Sequence, residues 1–487
     1  MNRIINFYAL FLNLLGACFA LPLATALIYG ETTSVRAFAI VMAGCIALGT
    51  VMHFACRSDI NAMELRPRDS YFLVASVWLI ASVIGCIPYM LTGCIPSFFE
   101  ALFETCSGFT TTGATIVSDV EAMPRAILMW RSFTQWLGGM GIIVLFVALL
   151  PRFGIKARNI AKAETPGPTV TKLTSRFTGT AQRLYIVYIV LTMLLVLFLM
   201  GGGLDFFDAL NHSFTTMATG GFSTYNDSVG HFHNNYISWI ITLFMFLAGT
   251  NFELFFIVLN GNIKRALKNE EFRLYVIILA VSTGAIAASL LANGGYDSIY
   301  QAVTDSAFQV TTVMTTTGYA TTNFGIWPTF CQMVLFILMV IGASSSSTAG
   351  GIKVIRVLVL FKMIKREIGI KLHGNIVRDV SLDSQKVLSE TVTYIIGFVT
   401  MYFITLILAT FLISIPGNGN LVTNLTATLS CISNVGPGLD SVGPVFTYHF
   451  YDGFSKFVLS MVMIAGRLEL STFFIIFSRF FWDPHRV

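Results

Sequence analysis

Long apolar blocks alternate with short polar stretches along the whole chain. Blocks at residues 5–29 and 36–56 come first, separated by a brief polar turn. Each exceeds the roughly 20 apolar residues that a membrane-crossing helix requires. A charged link, 57–69, carries Arg57, Arg66 and Arg68 and leads to a third block at 71–91. From there the pattern repeats: a spanning block, a short amphipathic segment, a polar turn rich in glycine, and a second spanning block. Four such units are read, with blocks and short segments at 71–91, 96–109 and 124–150, at 184–200, 205–216 and 235–259, at 274–291, 298–314 and 327–361, and at 391–415, 420–433 and 454–481.

The short segments decide the architecture this pattern predicts. About 14 helical residues rise only about 21 Å, less than the roughly 30 Å hydrocarbon core. They can enter a bilayer but not cross it. Irregular backbone at that depth is tolerated only inside protein or beside water, so the turns are expected to line one shared aqueous path. The turns are Thr110-Thr111-Thr112-Gly113-Ala114-Thr115, Ala218-Thr219-Gly220-Gly221-Phe222, Thr316-Thr317-Gly318-Tyr319 and Asn434-Val435-Gly436-Pro437. The fourth departs most from the threonine-rich pattern.

The predicted fold is an all-α polytopic membrane protein with four pseudo-repeats of helix, pore loop and helix around one pore, preceded by two extra helices. That amounts to about ten spanning helices and four short ones. The corresponding divisions are 1–69, 70–183, 184–272, 273–383 and 384–487.

Composition agrees, since 55% of residues are hydrophobic, 11% are charged and the mean hydropathy is +0.75. A soluble globule needs more polar surface than this. The first block has no clean cleavage-site pattern after it and reads as a retained helix. The eight cysteines lie mostly in apolar runs without metal-ligand spacing and read as small core residues.

Charge placement orients the chain. The link 151–183 carries seven basic residues, from Arg152 to Arg183, against the single acid Glu164, and the stretches 264–273 and 353–378 are also basic. The segments bearing the turns hold Glu100, Glu104, Asp119, Glu121, Asp205, Asp208, Asp227, Asp297, Asp305 and Asp440, with Arg125 almost their only base. Basic links are expected on the cytoplasmic side, which turns the glycine segments outward. Acids at the outer mouth would concentrate cations.

Stripping water from a small cation costs on the order of 20 kcal/mol in the idealised Born limit. Backbone carbonyls can replace that water without fixed charge, and glycine allows the positive φ that turns successive carbonyls toward an axis. Threonine adds a hydroxyl oxygen, and the C-terminal end of each short helix adds partial negative charge. The candidate ion-lining residues are Thr111, Thr112, Gly113, Thr219, Gly220, Gly221, Thr316, Thr317, Gly318, Asn434, Val435 and Gly436.

The segments 107–115 (Ser-Gly-Phe-Thr-Thr-Thr-Gly-Ala-Thr), 130–141 (Trp-Arg-Ser-Phe-Thr-Gln-Trp-Leu-Gly-Gly-Met-Gly), 217–224 (Met-Ala-Thr-Gly-Gly-Phe-Ser-Thr) and 466–470 (Gly-Arg-Leu-Glu-Leu) resemble the TrkH potassium-uptake family of the Trk/Ktr/HKT superfamily. The likeness runs over nearly the whole chain. It implies one pore per chain, filter glycines at Gly113, Gly221, Gly318 and Gly436, and K+ as the transported ion with no organic cofactor. It further implies a homodimer in the lipid of the bacterial inner membrane above a cytosolic TrkA-type nucleotide-binding ring, and no nucleic-acid partner.

Two features are candidate gates. The second long block of the third unit is interrupted by Gly342-Ala343-Ser344-Ser345-Ser346-Ser347-Thr348-Ala349-Gly350-Gly351, a run no membrane helix favours, and the resemblance implies a gating loop there. Arg467 lies inside the last apolar block, where an uncompensated arginine costs roughly 2.5 to 3.5 kcal/mol. Glu469 is on a different helix face and is a poor partner, so Arg467 is expected to face the pore or the loop carbonyls. Arg131 reads as structural, and His212, His231 and His233 as surface or capping residues. No Walker, Rossmann or GxSxG motif is present, which points away from catalysis. A Na+- or H+-coupled symporter working by alternating access is the rival reading.

Overall fold

The computed structural model describes residues 2–55, 67–141, 177–373, 379–383, 385–476 and 478–482. Residues 57–66 of the link 57–69, residues 151–176 of the link 151–183, and the last third (142–150) of the block 124–150 lie outside the described residues.

The chain is helical almost throughout. Helices α1 (Asn2–Cys18) and α2 (Ala20–Ile28) run into one another and turn back into α3 (Thr32–Ala55). This hairpin packs on the rest through Phe19, whose ring centroid lies 4.4 Å from that of Trp130. Glu31, at its turn, accepts hydrogen bonds from the Arg125 and Ala126 N–H groups at 2.6 and 3.3 Å. It thereby caps the next-door helix α6 (Arg125–Gly139), whose own N-cap residue, Pro124, makes no side-chain cap.

The repeating units follow. In the first, α4 (Pro67–Leu91) precedes the short helix α5 (Phe98–Phe109), and α6 returns. The second has α7 (Phe177–Gly201), α8 (Phe206–Met217), and a return made of α9 (Asn235–Gly249) and α10 (Phe252–Leu259). A small helix, α11 (Ile263–Lys268), leads to the third unit: α12 (Glu270–Ala292), α13 (Ile299–Met314), and a return made of α14 (Thr329–Ile341) and α15 (Val354–His373). A two-residue antiparallel ladder, β1 (Ser381–Leu382) with β2 (Gln385–Lys386), pairs Ser381 with Lys386 and Leu382 with Gln385. The fourth unit has α16 (Ser389–Ser414), α17 (Leu421–Ser433), and α18 (Gly453–Arg467) followed by α19 (Leu470–Ile475). The chain is described to the end of α20 (Arg479–Trp482).

Among the described residues, six helical runs are uninterrupted and apolar enough to cross a bilayer. The sequence reading broke only the third return helix, but all four stop short. Helices α9 and α10 meet at 94° across residues 250 and 251, α6 ends at Gly139, and α18 ends at Arg467 with Glu469 at φ +65° beyond it. Crowding accounts for the positions of the breaks. A Cβ at Gly138 would lie 1.7 Å from the Phe109 carbonyl oxygen, and one at Gly466 would lie 2.1 Å from that of Ile432. The first and fourth return helices are pressed in this way against the end of their own unit's short helix, while Gly249 of the second meets Thr315 and Tyr275 of the third unit.

The short helices carry many of the buried polar residues, while the long helices present Leu, Ile, Val and Phe outward, for example Ile186, Leu197, Ile407 and Phe411. A surface of that kind suits lipid rather than water. The seven cysteines described are all free.

A ring of four glycine turns

Helices α5, α8, α13 and α17 end in the same way. The residue just past each helix end has left-handed backbone: Thr111 at φ +56°, Thr219 at +54°, Thr316 at +56° and Asn434 at +56°. The next N–H reaches back five residues, from Thr112 to the Ser107 carbonyl, Gly220 to Thr215, Thr317 to Thr312 and Val435 to Ser430, at 2.8 to 2.9 Å. This is the Schellman closure of a helix C-terminus, normally built on glycine or asparagine. Threonine there is strained, because a β-branched residue is rarely found at positive φ. Asn434, which made the fourth copy look degenerate, is the residue with the least strain at this position.

Two residues further on, each turn places a glycine at positive φ: Gly113 at +80°, Gly221 at +76°, Gly318 at +82° and Gly436 at +101°. A Cβ at Gly113 would lie 2.1 Å from the Gly220 carbonyl oxygen, one at Gly221 1.9 Å from that of Thr317, one at Gly318 2.0 Å from that of Val435, and one at Gly436 2.7 Å from that of Thr112. The contacts run from the first turn to the second, third and fourth and back to the first. All twelve predicted ion-lining residues therefore lie in one closed ring of backbone. All four glycines also line one cavity of about 190 Å³, together with Ala114, Thr115, Ser223 and Pro437.

Side chains that the sequence reading left unassigned fix this backbone. Gln135 Nε2 donates to the Gly220 carbonyl at 2.6 Å while its Oε1 accepts from Phe222 N–H at 3.1 Å. Ser430 and Tyr448 hydroxyls donate to the Gly436 carbonyl at 2.6 and 2.8 Å. The Tyr319 hydroxyl bonds Thr215 and the His212 carbonyl. Gln135 lies in the 130–141 segment that carries the family likeness, but nothing in its spacing marked it as a brace.

Asp227 lines the same cavity as the glycines, while three other acids read as part of a charged mouth are engaged in hydrogen bonds. Glu104 is fully buried and paired with Arg131 at 2.8 Å, and it accepts from the Thr115 hydroxyl and Ile116 N–H at 2.9 and 3.0 Å. Asp208 accepts from Thr224 and Tyr225 hydroxyls at 2.7 and 2.6 Å. Asp440 accepts from Thr423 and Asn420 at 2.6 and 2.7 Å, which holds its carboxyl below the usual range. These carboxylates tie down the segments that follow the glycines. His212 is likewise buried, bonded to the Asp208 carbonyl and the Ser223 hydroxyl at 2.8 and 3.0 Å, and is not a surface residue.

Residues 342–353 form the interruption between α14 and α15 and lie against the base of the third and fourth turns. Gly342 has φ +71° and ψ −165°, a region open essentially to glycine alone. Gly350 N–H donates to the Thr316 hydroxyl at 2.8 Å, and a Cβ there would meet the Ser433 carbonyl oxygen at 2.1 Å. Ser344 N–H donates to the Gly249 carbonyl at 3.1 Å, Ser346 and Gly351 have positive φ, and Ser347 closes on the Ser344 carbonyl at 2.6 Å. Arg467 joins this loop to the first unit, donating to the Thr348 carbonyl at 2.7 Å and to those of Gly138 and Gly139 at 2.7 and 2.5 Å. One of these three acceptors, Thr348, is a carbonyl of the loop. Glu469 instead bonds Arg356 at 2.5 Å and the Tyr394 hydroxyl at 2.8 Å. Lys353 and Arg356, read from sequence as part of a basic cytoplasmic link, are buried.

This geometry can be set beside known proteins. Residues 34–483 match the family model TrkH, described as a cation transport protein. The chain belongs to the TrkH family. Trk system potassium uptake protein TrkH of Escherichia coli K12 is 33% identical over 484 residues, 99% of each chain. Its counterpart in Vibrio parahaemolyticus is 34% identical over 488 residues, again 99% of each. A crystal structure of the potassium transporter TrkH from Vibrio parahaemolyticus superposes with a TM-score of 0.88 at 31% identity, covering 99% of both chains. TrkH membership and the apolar helices together make this a multi-pass membrane protein.

Two outcomes follow for the ring. Arg131→Leu leaves Glu104 buried without its partner and is expected to cost about 3–5 kcal/mol, read as a lowered melting temperature in detergent; adding Glu104→Gln is expected to restore part of it. Gly221→Ala forces the Thr317 carbonyl to move and is expected to lower ion flux by at least about tenfold, on the strain of positive φ and the scale of 1.4 kcal/mol per decade. Flux by purified protein in liposomes checks the second.

Proposed function

We propose that this chain carries potassium ions into the cell across the bacterial inner membrane, as the pore-forming subunit of a Trk system. The observation that carries the reading is the closed ring in which each turn's glycine meets a carbonyl of the next turn. Four carbonyl dipoles converging without a carboxylate suit a monovalent cation, which must shed water to enter and must also leave. The helix ends beneath them add partial negative charge of about half an elementary charge each. The names of its relatives supply the ion.

In this reading Thr111 to Gly113, Thr219 to Gly221, Thr316 to Gly318 and Asn434 to Gly436 form the selectivity filter, contributed by units at 70–183, 184–272, 273–383 and 384–487. The cavity above it opens outward. Inward flow is driven by the membrane potential, about 2.3 kcal/mol per charge per 100 mV. The loop from Gly342 to Gly351 obstructs the inner side of the ring, and Arg467 holds it there while adding a positive barrier. The protein moves ions and transforms none, and it acts as a homodimer on a cytosolic TrkA-type ring that supplies nucleotide control.

Uptake of rubidium or K+ in a strain without its own K+ systems tests the filter. The Gly113→Asp and Gly318→Asp proteins are expected to lose nearly all uptake, and uptake at the wild-type rate by both would contradict the assignment. Deleting residues 342–351 is expected to raise basal flux; an unchanged flux in correctly inserted protein would remove the loop from the gate.

A further inference from the structure

Glu271 is the second residue of α12 and is buried, with 4% of its surface exposed. A buried carboxylate is costly unless donors replace its water. Both of its oxygens are served by one residue of the loop. Oε1 accepts from Ser345 N–H at 2.6 Å and Oε2 from the Ser345 hydroxyl at 2.8 Å. A two-point, charge-assisted contact of this kind fixes orientation as well as distance. It also couples two states: if the loop withdraws, the buried carboxylate loses both Ser345 donors and keeps the Asn251 side chain beside it.

The carboxylate itself is held from behind. The preceding residue, Glu270, donates its N–H to the Asp383 carboxylate at 2.9 Å, and Asn269, which caps α12, donates to the same carboxylate at 2.7 Å. Asp383 sits between β1 and β2. Lys362, on the helix that leaves the loop, pairs with Glu270 and donates to the Ser381 carbonyl at 2.7 Å. The start of α12, the small ladder and the exit helix α15 thus form one braced unit, from which Glu271 reaches the loop.

We infer that Glu271 is a positioning residue that latches the loop through Ser345 and thereby sets the ion flux. The inference rests on the reading of residues 342–351 as an obstruction. Glu271 lies off the ring and touches none of the four turns through the contacts that hold Ser345, so releasing it changes how often the path is clear and leaves ion recognition alone.

The test uses full-length protein in liposomes, with K+ flux measured across a range of K+ concentrations. Glu271→Gln keeps the shape but sets an amide donor against Ser345, and Ser345→Ala removes the hydroxyl donor alone. Both are expected to raise maximal flux, Glu271→Gln by about tenfold and Ser345→Ala by less, on the usual size of one or two charge-assisted bonds. The half-saturating K+ concentration and the K+/Na+ ratio are expected to stay at wild-type values. The double variant is expected to gain no more than Glu271→Gln alone, because both changes open one latch. Wild-type flux in monodisperse Glu271→Gln and Ser345→Ala proteins, or additive gains in the double variant, would overturn the inference. So would an altered half-saturating concentration. If Glu271→Gln does not fold, Ser345→Ala decides. Deletion of 342–351 separates the two readings: raised flux on deletion with no effect of either substitution rejects the latch alone, and unchanged flux on deletion rejects the obstruction itself.

Discussion

The structure depends on four close approaches of backbone to backbone. Each ring glycine has no Cβ, and the carbonyl of the neighbouring turn occupies the space a Cβ would need. The approach works only if every unit delivers its turn at the same angle. The left-handed residue and the five-residue N–H closure, repeated four times, provide that angle. Three of the four left-handed positions hold threonine, which is strained there. The strain persists because the helices behind, and braces such as Gln135, Ser430 and Tyr448, overdetermine the turn.

Charge is kept off the ring and used around it. Arg131 with Glu104 and Arg356 with Glu469 are buried pairs, and Lys456 with Glu100 is a third, half-sheltered one. Buried pairs of this kind contribute little net stability, yet breaking one is expensive. Their value here is geometric. Glu104 fixes the segment after Gly113, while Glu469 and Arg356 fix the break after α18. Arg467, with carbonyls as its acceptors, bridges the loop and the end of α6. In the proposed filter, a ring built of backbone rather than of charged side chains would leave the carbonyl dipoles to act on a passing ion.

Much of this was legible in the chain. Helix length against bilayer thickness separated spanning from short segments, and the recurrence of glycine turns picked out four segments, within which the family resemblance pointed to Gly113, Gly221, Gly318 and Gly436, which the structure brings together. The fourth turn looked weakest because side chains were compared, whereas what repeats is backbone: Asn434 and Thr111 share φ +56°. The breaks at Gly139, Gly249 and Arg467 were not legible, since an apolar run reads as a continuous helix until its neighbour's carbonyl is known. Nor were the partners of Glu104, Glu271 and Gln135. Each pairing joins residues far apart in sequence, such as Glu271 with Ser345, and carries no local periodicity. The acids near the turns were read by their number, whereas the hydrogen bonds of Glu104, Asp208 and Asp440 make these three braces.

The central claim is that the ring of carbonyls at Thr112, Gly220, Thr317 and Val435 binds a dehydrated monovalent cation. Anomalous scattering from crystals grown in rubidium or thallium tests it most directly. The account predicts a peak on the axis of the ring, bounded by those four carbonyls, that disappears when sodium replaces the heavier ion. A ring without a peak, or a peak only at the carboxylates of Asp208 or Asp440, would contradict it.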